Sequence, residues 1–138
     1  MSQIQAYIMM FLTGGFLYCG LEIFARGYSH ISMLLAGGTC FLLVGAVQHI
    51  LGPSASLLSQ MLFCGIMITT VEFIFGMVVN RQMHLNVWDY SGQQYNFLGQ
   101  ICLLYTNLWF LLSCPMILLH DFMEFVLLDS RFPSYRIF

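Results

Sequence analysis

Lysine is missing from this chain altogether, and only four arginines and six acidic residues serve its 138 positions. Charged residues therefore make up 7%, against about 25% in a soluble domain, which is too few to build a water-facing shell. The scarcity of positive charge, with a net charge of -2, also argues against nucleic acid as a partner. Cysteine is present but unpatterned. Cys19, Cys40, Cys64, Cys102 and Cys114 are odd in number, lie in apolar text and form no C-x-x-C pair, so they read as small buried hydrophobes rather than a disulfide framework or a zinc centre. His30, His49, His84 and His120 show neither H-x-x-x-H nor H-E-x-x-H spacing, and no metal site is expected. No Walker A motif, Rossmann glycine pattern or G-x-S-x-G elbow occurs. No cofactor is expected on that ground, and whether the chain is an enzyme stays open.

What is abundant is hydrophobic text, 59% of residues. A bilayer accepts such a surface because its hydrocarbon core solvates apolar side chains. A membrane helix needs about 20 largely apolar residues, which places spans at about 5–26, 31–51, 55–80 and 96–119. Gly52-Pro53 divides the second from the third, since proline lacks a donor and restricts the residue before it. Asn96 is the expected N-cap of the fourth, and Pro115 is expected to kink or end it. The first segment lacks a basic flank and an A-x-A-like site, so it is expected to stay as a span rather than be cleaved.

Past Leu119 the pattern changes. His120, Asp121 and Glu124 alternate with Phe122, Phe125 and Val126 at helical spacing, which suggests an amphipathic interfacial helix over about 120–130. The tail with Arg131 and Arg136 reads as a surface segment. Arg26 and Arg81 then face one compartment and the tail arginines the other, so the positive-inside rule ties and leaves orientation open. The expected fold is all-α: one transmembrane domain, residues 1–138, of four spans plus that interfacial helix.

An internal comparison refines this. Gly15, Cys19, Glu22, Arg26 and His30 stand fifty residues before Gly65, Thr69, Glu72, Gly76 and Asn80, each set on one helical face. Gly37-Gly38-Thr39-Cys40-Phe41-Leu42-Leu43 aligns with Gly99-Gln100-Ile101-Cys102-Leu103-Leu104-Tyr105 at an offset of 62, so twelve residues are inserted, in the loop holding Trp88-Asp89-Tyr90-Ser91. Two pseudo-symmetric hairpins are the implied arrangement. The glycine pairs Gly14-Gly15 and Gly37-Gly38, with Gly76, suggest close helix contacts and a homo-oligomer.

Ionisable residues within apolar spans are costly and point to sites. Glu22 and Arg26 stand in the favourable order for an i,i+4 ion pair. A polar layer of Glu22, Arg26, His30, Glu72 and Asn80, covered by a loop carrying Trp88, Asp89, Tyr90 and Asn96, is the candidate ligand-binding site. Asp89 is expected to anchor that loop inward on Arg26, His30, Arg81 or the amides that open the fourth helix.

These residues also resemble a known family. Gly20-Leu21-Glu22, Arg26-Gly27, Ser29-His30-Ile31-Ser32-Met33, Val71-Glu72-Phe73 and above all Trp88-Asp89-Tyr90-Ser91…Asn96-x-x-Gly99-x-Ile101-Cys102-Leu103 are similar to the putative ABC-transporter type IV family, also called CmpB-like. Gln94 departs from it, standing where a proline is expected. The resemblance implies a small multi-pass protein of the cell membrane and a part in transport. With no nucleotide-binding motif, such a role requires self-association, another membrane subunit or a secondary mechanism. Three functions compete: a transport or channel component with Glu22/Arg26 and Glu72 lining a path, a structural or sensor subunit, and an enzyme acting on a lipid-linked substrate.

Overall fold

The computed structural model describes residues 1–138. Helix α1 spans Gln3–Arg26, opened by a capping box in which the Ser2 hydroxyl accepts from Gln5 N at 3.2 Å and Ser2 N donates to Gln5 Oε1 at 3.0 Å. Gly27, at φ 80°, closes it in the left-handed conformation that glycine adopts without strain. Helix α2 (Ile31–Leu51) begins where the His30 ring accepts from Ser32 N, and it ends at Gly52, just before Pro53. Ser56 caps α3 (Leu57–Gly76), which continues as a π-helical run over Met77–Gln82. A two-stranded hairpin follows, β1 (Asn96–Phe97) paired antiparallel with β2 (Ile101–Cys102), and then α4 (Leu103–Leu128).

Four helices are long and apolar enough to cross a membrane, the third including the π-helical run to Gln82. The chain is an all-helical, multi-pass membrane protein. Two boundaries differ from the sequence expectation. Helix α4 starts at Leu103 rather than Asn96, because Asn96 is spent on the preceding turn and Cys102 occupies the cap position. Pro115 lies inside α4 without ending it, and residues 120–128 continue the same helix instead of forming a separate interfacial one. At 1.5 Å per residue its 26 residues reach roughly 39 Å, longer than the hydrocarbon core of about 30 Å, so α4 tilts or carries its last turns into the headgroups.

Helix α1 packs chiefly on α2, α3 on α4, and α2 joins the two hairpins. Small residues set the first contact. A Cβ added at Gly15 would stand 2.6 Å from Leu34 O, and one at Gly37 2.6 Å from the Tyr18 Cβ. The glycines that suggested self-association are thus spent inside the chain. Gly65 plays the corresponding part in the second hairpin, lying against the backbone of Phe110. The other aligned pair falls in different structures, since Gly37-Gly38 are inside α2 while Gly99-Gln100 precede α4.

Candidate functional site

The segment between α3 and α4 folds back onto the bundle, and its backbone explains how. His84, Asn86, Tyr95 and Leu98 all adopt positive φ, which is uncommon without glycine and bends the chain sharply. Gly99 turns at φ 68°, and a Cβ there would stand 3.0 Å from the Asp89 carboxylate. Asn96 ties this turn with its own side chain, donating to Gln93 O at 2.8 Å and accepting from Gly99 N at 3.0 Å. Tyr90 N then donates to Gly99 O at 2.8 Å.

So shaped, the loop places Val87 and Trp88 in the interior. Trp88 donates through its indole to Gln100 O at 2.9 Å. Asn80, in the π-helical run, satisfies two buried groups at once: it accepts from Val87 N at 2.7 Å and donates to Gln100 Oε1 at 2.9 Å. Tyr90 stacks on Tyr105 with ring centres 4.6 Å apart, and its hydroxyl donates to Glu72 Oε1 at 2.8 Å. Trp109 of α4 donates to the other oxygen, Oε2, at 3.0 Å. Burial, then the negative charge of Glu72, pushes the Tyr90 phenol far above its ordinary value and keeps it a donor. Arg26 pairs with Glu22 on α1 and donates to Val87 O at 3.0 Å, while its guanidinium lies 4.6 Å above the Tyr28 ring.

The expected residues do not gather round one cavity. Glu72 and Trp88 line the main one; Glu22 and Arg26 form a pair at the end of α1, His30 caps α2, and Asn80 holds the loop. Asp89 is not the anchor. It is exposed, and its carboxylate accepts from Ser91 N at 2.8 Å, which holds its pKa below the usual value. Arg26 instead reaches a backbone carbonyl, and Arg81 is exposed. Gln94 is exposed in the turn.

The main cavity, about 500 Å³, lies among all four helices. Phe16, Leu17 and Leu21 of α1 and Leu112 and Leu119 of α4 form its outer walls, and Tyr18 and Trp109 lie deeper. Glu72 is the only charged residue lining it. Two lone-pair positions of that carboxylate are used by Tyr90 and Trp109, out of about four that a carboxylate offers. A site of this kind suits an apolar body with one donor at its end.

The sequence model of the family described as putative ABC-transporter type IV matches residues 6–132. The chain belongs to that family. No curated protein and no solved structure matches it. The putative ABC-transporter type IV pattern in this chain now has a physical reading. Its tryptophan and tyrosine face inward, its asparagine and glycine shape the turn, and its aspartate caps that turn from outside. Sequence reasoning missed Gln100, Tyr105 and Trp109. Gln100 stood beside the pattern but is uncharged, and the two aromatics stood in a span where such residues are ordinary lipid-facing text. An indole seven residues into an apolar helix was the available signal for Trp109, since a buried polar tip needs a partner.

Proposed function

We propose that this chain is the membrane-embedded component of a transport assembly in the cell membrane, and that its cavity receives a lipid-like amphiphile whose donor headgroup meets Glu72. The cavity carries this reading: about 500 Å³ of apolar wall ending on one buried carboxylate. It replaces a path for a small ion or polar solute, because Glu22 and Arg26 pair outside that wall and Glu72 stands there alone. Family membership supports the transport role. Lacking a nucleotide-binding motif, the chain would draw on a partner subunit or on further copies of itself for energy coupling. The matching positions of Gly15 and Gly65 at their own hairpin contacts support a pseudo-symmetric build. A second reading, a structural subunit, is favoured by one observation: both Glu72 oxygens already have protein donors.

The test fills the cavity. Gly20 lines it, and a Cβ there meets nothing within 4 Å. Gly20→Trp should therefore fold, while reducing binding of a fluorescent long-chain alkylamine to the protein in nanodiscs by about tenfold or more. Gly92→Trp, in open loop space, should bind as the wild type does. Equal binding by wild type and Gly20→Trp sinks the amphiphile reading.

A further inference from the structure

At the end of the bundle opposite the loop, α4 turns a second polar group toward α2. His120 is 1% exposed and Asp121 4%, in a span where bare charge is costly. One Asp121 oxygen is fixed: Oδ2 accepts from Gln48 Nε2 at 3.0 Å and from the Tyr135 hydroxyl at 2.5 Å. Gln48 is itself held, donating to Gln60 Oε1 at 3.0 Å. The other oxygen, Oδ1, stands 3.5 Å from His120 Nδ1. That nitrogen is buried and has no hydrogen-bond partner. Glu124, one turn along the same face, completes a set whose ligand atoms all lie within 4.8 Å of one another. Room for them comes from Gly45, where a Cβ would stand 2.9 Å from His120 Cε1 and 3.7 Å from Glu124 Oε1.

We propose that His120, Asp121 and Glu124 bind a divalent transition-metal ion. One imidazole nitrogen and two carboxylates make a borderline donor set that suits manganese, iron, cobalt or zinc, whereas calcium and magnesium favour oxygen alone. The double positive charge would offset both carboxylates where neither can easily be left bare. Metal–ligand bonds of about 2.1 Å put tetrahedral ligand atoms roughly 3.4 Å apart. His120 and Asp121 are already at 3.5 Å, and the half-buried Glu124 has the rotational freedom to close in. Three ligands leave a position open. The fixing of Oδ2 by Gln48 and Tyr135 is the outer support that ligating carboxylates characteristically have. No H-x-x-x-H search finds this site, because its ligands stand at i, i+1 and i+4 with a single histidine.

The test uses the full chain, free of any polyhistidine tag, in nanodiscs with cobalt(II) as probe. Wild type should develop the visible d–d absorption of a bound ion, saturating at one per chain, without the charge-transfer band of a thiolate ligand. His120→Gln should abolish it, Glu124→Gln should weaken binding by about tenfold or more, and Tyr135→Phe, touching only the outer support, by about tenfold. Cobalt should also raise the wild-type Tm, reversibly with chelator, which needs no variant. A wild type with neither spectrum nor Tm shift overturns the site and leaves His120 simply paired with Asp121. So does a titration that is the same in wild type, His120→Gln and Glu124→Gln.

Discussion

Both ends of this bundle are closed in one manner, by a non-helical segment that lays a tyrosine hydroxyl on a buried carboxylate. At one end the loop brings Tyr90 to Glu72; at the other the tail brings Tyr135 to Asp121. The tail is held by backbone bonds as well, since Leu57 N donates to Arg136 O at 2.7 Å and Arg136 donates to Ser54 O at 3.1 Å. What differs is how fully the groups around each carboxylate are bonded. Around Glu72, both oxygens have donors, and the neighbouring Asn80, Gln100, Val87 and Trp88 satisfy one another. Around Asp121 one oxygen is held and the other faces an unpartnered imidazole. The fuller network rigidifies the loop over Glu72 and leaves only spare carboxylate lone pairs for a ligand, whereas the one at Asp121 leaves a buried imidazole nitrogen with no partner at all.

The largest effect that would break this contrast is at Asn80. Asn80→Leu strands Val87 N and Gln100 Oε1, two buried groups at about 1–3 kcal/mol each, so a loss of about 2–6 kcal/mol is expected on unfolding in mixed micelles. At the tail end Gln48→Leu removes donors from Gln60 and Asp121, but Asp121 keeps Tyr135. It should cost about half as much. Equal losses would mean that the two ends are equally complete.

A smaller effect sharpens the comparison through the tyrosines. Tyr90→Phe leaves Glu72 with one donor fewer and should cost about 0.5–3 kcal/mol, the span from neutral to charged hydrogen bonds. Tyr135→Phe, on a half-exposed tail, should cost less. Burial first, and the adjacent carboxylate second, raises both phenols. A raised folded pKa on tyrosine means that its contribution is fully present below the unfolded value of about 10 and is lost as pH climbs through the folded one. Wild-type Tm should therefore decline in the alkaline range above about pH 10 more steeply than that of Tyr90→Phe. Parallel declines would show that the Tyr90 bond is not a stabilising contact.

How much of this was legible in the sequence follows from which interactions are local. Run lengths marked four apolar segments, and Gly52-Pro53 marked a break, because span length and proline chemistry act on neighbouring residues. The loop text stood out as well, and Trp88 and Tyr90 do turn inward. Their partners were not legible. Gln100 carries no charge to flag it, and it is aimed back by positive φ at Leu98 and Gly99, a backbone fact. The polar stripe of His120, Asp121 and Glu124 was visible as amphipathic. Periodicity reports that a polar face exists, not whether it meets headgroups or protein, and here Gln48 lies 73 residues away.

Asp89 gives the smallest effect and the plainest separation of charge from architecture. Its charge and place in the loop made it the expected anchor, so Asp89→Asn should have loosened the whole segment. In the fold its carboxylate caps a local turn from outside, accepting Ser91 N, while Asn80, Trp88 and Tyr90 hold the loop from within. Asparagine keeps an oxygen acceptor at that position and favours the same turn. Asp89→Asn should therefore leave the neutral-pH Tm unchanged within error, as should Asp129→Asn in the tail. The Ser91 amide holds the Asp89 carboxyl below its ordinary value, so any contribution is present above the unfolded pKa of about 4 and fades as pH falls through the lower folded value. Acid melts of wild type and Asp89→Asn should coincide down to about pH 4 and separate only slightly below it. A marked loss of neutral-pH Tm in Asp89→Asn would instead return the anchoring role to this carboxylate.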